Sequence, residues 1–215
     1  MTIILIFGDS ITNGAWDYEE GGWPNRLRKF LDQMAFPSLS SFRVYNLGIS
    51  GNTTEDVLKR FENECKSRIS EIIKYRNEIV IIFQIGLNDT QLVLKKKKIR
   101  ISYKKFMKNI IKLIGKAFKF TEKIVFIGLT PVEEQKVNPM PWNTTVSYKN
   151  DYIKKYNEFL RSVCKENDVY FIEFFDEWIK FNYKILLEDG AHPNPEGHKK
   201  MFETIKKFLF KNRII

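Results

Sequence analysis

Cysteine and histidine are scarce in this chain of 215 residues, with two of each. Cys65 and Cys164 form no C-x-x-C and have no histidine at metal-ligand spacing, so both read as buried free thiols. A secreted disulfide scaffold would carry more cysteines. His192 and His198 show no H-E-x-x-H pattern, which argues against a metal hydrolase; no metal or cofactor is expected. Long apolar runs are missing too: none approaches the ~20 residues that cross a bilayer. The first run, Ile3 to Phe7, follows no basic region and is broken by Asp9, so it does not read as a signal peptide. A cytosolic protein is expected. Repeats and low-complexity linkers are also absent. The length lies a little above the usual ~100–200 residues of one domain, and a single domain over residues 1–215 is expected.

Acidic residues are outnumbered, 26 against 36 Lys and Arg, which gives a net charge of +10. Such an excess can attract anionic partners. Most of it is lysine spread over helix faces, for example Lys104, Lys105, Lys108 and Lys112, the pattern of a solvated surface. The one dense run, Lys95 to Lys98 with Arg100 just beyond, reads as a solvated loop or helix edge. Its competing reading is a phosphate-binding patch, and with it a basic nucleic-acid-binding module. No Gly-rich phosphate loop or nucleic-acid motif accompanies it.

What the chain does have is a regular alternation. Five apolar, β-rich runs recur: Ile3–Phe7, Phe42–Leu47, Ile79–Phe83, Ile124–Gly128 and Val169–Phe174. Most are continuously apolar, as strands buried on both faces of a parallel sheet are. Between them lie helix-period segments. Trp23–Phe36 sets Leu27, Phe30, Leu31 and Met34 on one face, and Thr54–Tyr75 sets Val57, Leu58, Phe61, Ile69, Ile72 and Ile73. Tyr103–Phe120, Tyr148–Glu166 and Pro195–Leu209 follow the same period. The order predicts a three-layer α/β/α sandwich around a parallel sheet of five strands. The longest irregular piece, Leu129 to Thr145, follows the fourth strand and is expected to be a lid or a substrate wall.

In such a sheet, ligands bind beyond the carboxyl ends of the strands. Four small or polar segments lie there or near the chain end: "GDS" at 8–10, "NLGISGNTT" at 46–54, "QIGLNDT" at 84–90 and "EDGAHPNPEGH" at 188–198. A serine nucleophile needs a base, an orienter for that base and donors for the oxyanion. Ser10 sits where a strand turns into a helix. Asp189 and His192 are three apart, close enough on one turn for the carboxylate to hold the imidazole tautomer. Gly51 can bring a bare backbone N–H to a tetrahedral intermediate, and Asn88 an amide N–H. With the Ser10 N–H, these make three oxyanion donors. Each segment alone reads as a turn or helix start; their coincidence past successive strands raises the case. His198 is expected to be structural or exposed, and Asp89 to satisfy backbone donors.

These segments resemble the SGNH, or GDSL-type, hydrolase family. "FGDSITNG" is similar to the first family block, with Ile11 in place of the usual leucine. "NLGISGNTTEDV" resembles the block with the oxyanion glycine, "GLNDT" the Gly-x-Asn-Asp block and "DGAHPNPEGH" the Asp-x-x-His-Pro block. All four occur in order and span nearly the whole chain. The resemblance implies a flavodoxin-like fold and metal-free hydrolysis of esters or thioesters. It implies Ser10 as nucleophile, His192 as base, Asp189 as orienter, and Ser10, Gly51 and Asn88 as the oxyanion hole. In this family a backbone carbonyl can share the orienting task, which ranks Asp189 below Ser10 and His192.

The expected substrate is a small-molecule ester or thioester with a small or lipid-like acyl group, as for an esterase, lysophospholipase or thioesterase. Deacetylation of carbohydrates on the same triad is the alternative. Trp16, Trp23, Phe36, Met140 and Trp142 are candidates to line an acyl pocket. Most of them are expected in the core, with Trp142 the best candidate because it lies in the irregular segment.

Overall fold

Strand β1 (Thr2–Gly8) is apolar along its length, and six of its seven residues are buried. That requires a partner strand on each edge and a layer on each face. A computed structural model of the chain, describing residues 1–36, 42–69 and 79–215, supplies both. β1 pairs in parallel with β2 (Phe42–Gly48) and β3 (Ile79–Gln84), so Gly8 lies level with Gly48 and Gln84. The two further sheet strands, numbered β6 (Ile124–Ile127) and β8 (Tyr170–Ile172) in chain order, complete the order β2-β1-β3-β6-β8.

The helices are α1 (Ser10–Asn13), α2 (Trp23–Ala35), α3 (Thr54–Arg68), α4 (Tyr103–Ala117), α5 (Asn150–Glu166), α6 (Phe175–Ile179) and α7 (Pro195–Lys211). The step from β1 to β2 runs one way across the sheet, and every later step runs the other way. Right-handed crossovers then place α2 on one face and α3, α4 and α5 on the other. The packing agrees: α2 meets α7, α3 meets α4, and α4 meets α5. This is the three-layer α/β sandwich the alternation predicts. Phe7, Phe61, Phe83 and Phe126 form a run of ring contacts, centroids 4.8 to 5.7 Å apart, between β1, α3, β3 and β6. All four are fully buried, and each stabilises the fold by roughly 1.5–3 kcal/mol.

Several boundaries depart from the sequence reading. α3 ends at Arg68, because Ile69 is already extended; the rest of the expected helix, residues 70–75 with Ile72 and Ile73, lies outside the described residues. α4 stops at Ala117 rather than Phe120, since Lys119 and Phe120 bond three residues back, to Lys116 and Ala117. α5 begins at Asn150, not Tyr148, because the preceding residues pair elsewhere. Val146–Ser147 (β7) joins Leu92–Val93 (β4), which also pairs with Lys98–Ile99 (β5), in a small antiparallel sheet absent from the sequence reading. Lys95–Lys98 falls in the exposed turn of that sheet, as the solvated-loop reading expects. Cys65 and Cys164 are buried free thiols, each pushed up to about 12 mainly by burial.

Candidate active site

The strand order reverses between β1 and β3, and a crevice opens there beyond the strand ends. Ser10 follows β1 and Asn88 follows β3. The turn into α1 is tightly built. The Asp9 side chain caps the helix by accepting the Ile11 N–H at 3.0 Å. At Gly8, a Cβ would meet Thr12 Oγ1 at 1.9 Å and the Gln84 carbonyl at 2.6 Å. Only glycine lets helix and strand approach this closely.

Ser10 Oγ lies 2.8 Å from His192 Nε2, and His192 Nδ1 lies 2.7 Å from Asp189 Oδ2. Asp189 Oδ1 accepts the backbone N–H groups of Ala191 and His192, each at 2.9 Å. Asp189 Oδ2 also accepts the indole N–H of Trp16 at 2.7 Å. Burial works to raise the Asp189 pKa, but the hydrogen bonds and charge of His192 and the Ala191 N–H outweigh it and hold it at about 2.

The expected oxyanion donors converge on the same place. Gly51 has φ +79°, a conformation that disfavours any side chain, although a Cβ there would meet nothing within 4 Å. Its N–H has no partner among the described residues. Asn88 Nδ2 donates to the Asn52 carbonyl at 3.0 Å, and its Oδ1 accepts from Tyr148 Oη at 2.8 Å and Gln91 Nε2 at 3.1 Å. Gln91 Nε2 also donates to Tyr148 Oη at 2.8 Å. These bonds fix which end of the Asn88 amide faces the site.

Around Ser10 opens a cavity of about 360 Å³. Trp16, Met140 and Trp142 line it, and the Trp142 ring sits 5.5 Å from the His192 ring, centre to centre. Leu129–Thr145 therefore supplies a wall. Two candidates do not line the cavity. Trp23 is buried and donates its indole N–H to Gln84 Oε1 at 2.7 Å, and Phe36 is 83% exposed outside the cavity. His198 is buried and structural, with Nε2 bonded to the Ala15 carbonyl and Nδ1 accepting the Trp23 N–H; burial pushes its pKa down. Asp89 accepts the Thr54 N–H and hydroxyl, tying α3 to the turn after β3. Burial outweighs those bonds and raises Asp89 to about 7; it likewise raises Asp9 to about 6 against the Ile11 N–H and the charge of His192.

Gln91, Tyr148, Arg100 and the polar role of Trp16 escaped the sequence reading. Gln91 lies three residues beyond Asn88, on the same loop, and that spacing was its one available signal. Among the described residues no group of three His, Cys, Asp or Glu side chains is arranged to hold a metal.

The model for the GDSL-like lipase/acylhydrolase family matches residues 4–205. The chain belongs to that family. Among curated relatives, the uncharacterized lipoprotein YqeF of Bacillus subtilis is 24% identical over 228 residues, 94% of this chain and 87% of its own. An arylesterase of Vibrio mimicus is 22% identical over 209 residues, 97% and 88% of the two chains. Among solved structures, a lipase/acylhydrolase from Enterococcus faecalis superposes with a TM-score of 0.74 at 21% identity, covering 97% of this chain and 95% of that one. An acetylxylan esterase from Geobacillus stearothermophilus gives 0.67 at 22% identity, covering 96% and 93%. These likenesses show that the GDSL-like fold is shared. Membership lends no support to nucleic-acid binding through Lys95–Lys98. Among the described residues of this family member, no helix is long and apolar enough to cross a membrane.

Proposed function

We propose that the chain is one catalytic domain, residues 1–215, that hydrolyses carboxylic esters or thioesters of short acyl groups through an acyl-Ser10 intermediate. The observation that carries this reading is the continuous chain Ser10 Oγ–His192–Asp189, at 2.8 and 2.7 Å, opening on one cavity with Gly51 and Asn88. His192 Nε2 takes the Ser10 proton as Oγ attacks the acyl carbon. Asp189 holds the proton on Nδ1 and balances the imidazolium. The Ser10 and Gly51 N–H groups and the second Asn88 amide hydrogen, held only by a long 3.5 Å approach to Asp9 Oδ2, take the developing oxyanion, where one donor is worth ~3 kcal/mol. His192 then protonates the leaving alcohol or thiol. Water repeats the sequence on the acyl-enzyme and releases the acid.

The cavity, at about 360 Å³, is near the small end of the ~300–1,000 Å³ range of ligand pockets. That favours short acyl groups over the long chain of a lysophospholipid. A second reading, deacetylation of a carbohydrate, is favoured by Trp16 and Trp142. Both rings line the cavity and stay about half exposed, 53% and 47%, offering flat faces for a sugar ring. The structural likeness to an acetylxylan esterase is in keeping with it.

Hydrolysis of p-nitrophenyl acetate tests the assignment. Ser10→Ala and His192→Ala should each lose at least ~10³-fold in kcat; equal rates in wild type and Ser10→Ala sink it. A chain-length series from acetate to octanoate, with acetate release from acetylated xylo-oligosaccharides, separates the two readings. A cytosolic location belongs to the same proposal, and fractionation of producing cells into soluble and membrane pools tests it, since the relative YqeF is named a lipoprotein.

A further inference from the structure

Two side chains of opposite charge, Asp189 and Arg100, line the cavity beside Ser10. The Asp189 charge is already matched, since its oxygens accept four N–H groups, from Ala191, His192 (twice) and Trp16. Arg100 is different. No carboxylate lies within 4 Å of it among the described residues. It is nonetheless held in place. Its backbone N–H donates to the Gln91 carbonyl at 2.7 Å. One Nη donates to Gln91 Oε1 at 2.9 Å and the other to the Gly51 carbonyl at 3.1 Å. The Nε–H and the remaining Nη hydrogens have no protein acceptor among the described residues.

An arginine on an open surface usually loses rotamer freedom when it binds an anion. Arg100 has given up much of that freedom already, against the loop that carries Gly51. A fixed guanidinium with spare donors matches the planar or tetrahedral oxygens of a carboxylate or phosphate. The surplus of positive charge on the chain, +10, draws such groups toward it. We propose that Arg100 is an anion subsite of the catalytic cavity, and that the preferred ester carries a carboxylate or phosphate group. This rests on the hydrolase reading for the word ester, but the binding claim stands on Arg100 itself.

The experiment measures binding to the Ser10→Ala chain, followed by quenching of the fluorescence of the cavity tryptophans. Benzoate and phenyl phosphate are the anionic probes, and benzamide is the neutral one. The Ser10→Ala chain should bind at least one anionic probe at least tenfold more tightly than benzamide. Arg100→Gln should remove that preference while leaving the benzamide Kd within about twofold. Arg100→Lys, which keeps the charge and loses the fork, should restore part of it. The ratio of the benzoate and phenyl phosphate constants tells carboxylate from phosphate. Equal affinity for all three probes, or a preference that survives Arg100→Gln, overturns the subsite. Failure of the hydrolase reading is a separate result: wild type then cleaves no ester in a Ser10-dependent way, whatever the probes do.

Discussion

Replacing Asn88 with alanine tests whether its amide stabilises a transition state or only the loop. The residue is 6% exposed, and its side-chain oxygen is fully committed, accepting from Tyr148 and Gln91. On its nitrogen, one hydrogen goes to the Asn52 carbonyl at 3.0 Å, and the other has only a 3.5 Å approach to Asp9 Oδ2. That second hydrogen is the one available to an oxyanion. Its loss should lower kcat by ~10²–10³, or ~3–4 kcal/mol, with little change in KM, because the ground-state carbonyl gains less from it. Folding stability should fall by ~1–3 kcal/mol, since the Asn52 carbonyl loses its donor. Steady-state hydrolysis of p-nitrophenyl acetate and thermal melting of the same samples read the two effects apart.

Tyr148→Phe grades the same reasoning. It removes one of two donors to Asn88 Oδ1, and Gln91 keeps the amide from turning over. The loss should be ~0.5–1.5 kcal/mol, about 2- to 13-fold in kcat. Added to Asn88→Ala, the Tyr148→Phe substitution should cost kcat almost nothing further, because Tyr148 acts through Asn88. An Asn88→Ala enzyme within about threefold of wild type, or a full Tyr148 effect in the double variant, would refute the role assigned to the amide.

Two other substitutions probe the surroundings. Trp16→Phe keeps an aromatic ring but removes the N–H from Asp189 Oδ2; a charge-assisted bond worth ~1.5–3 kcal/mol predicts a loss in kcat/KM of ~13- to ~160-fold, and an unchanged value refutes it. Asp89 titrates at about 7 in the folded chain, raised from 3.8 chiefly by burial. Between those pH values the folded state keeps a proton that the unfolded chain has released, so stability falls as pH rises, by up to ~4 kcal/mol at ~1.4 kcal/mol per unit. The melting temperature of Asp89→Asn relative to wild type should therefore climb from pH 4 to pH 7, and a constant difference would contradict the assignment.

The layers of this fold were legible because its information is local. Ile3–Phe7 and Ile79–Phe83 are continuous apolar runs, and Leu27 and Leu31 recur at helical spacing. The candidate site was legible for a related reason. Ser10, Gly51 and Asn88 each fall past a strand end, and parallel strands bring those ends to one edge. Tyr148 was hidden because its neighbours carry a helical pattern. Only the pairing of Val146–Ser147 with Leu92–Val93, more than fifty positions away, draws it out of the helix and into the site. Arg100 was hidden by company, five charged residues read as one solvated run. Trp16 takes a left-handed backbone, φ 68°, which no feature of an indole favours and which the surrounding loop must impose.

The side chains that hold the site together have one thing in common: each ties one loop of the site to another. Arg60, from α3, donates to the Gly8 and Leu47 carbonyls at the ends of β1 and β2, and to Asn52 beside Gly51. Arg100 and Gln91 join Gly51 to Asn88. Trp16 joins the loop after α1 to Asp189, and His198 anchors that loop through Ala15. The proposed triad and oxyanion hole, assembled from four separate loops, would drift by more than catalysis tolerates if each loop were held only by its own strand. Cross-links between the loops remove that freedom, and they can use any donor and acceptor that reach. Their residue types are therefore set by the distances between loops rather than by the chemistry of ester cleavage, which is why motif reasoning passes over them.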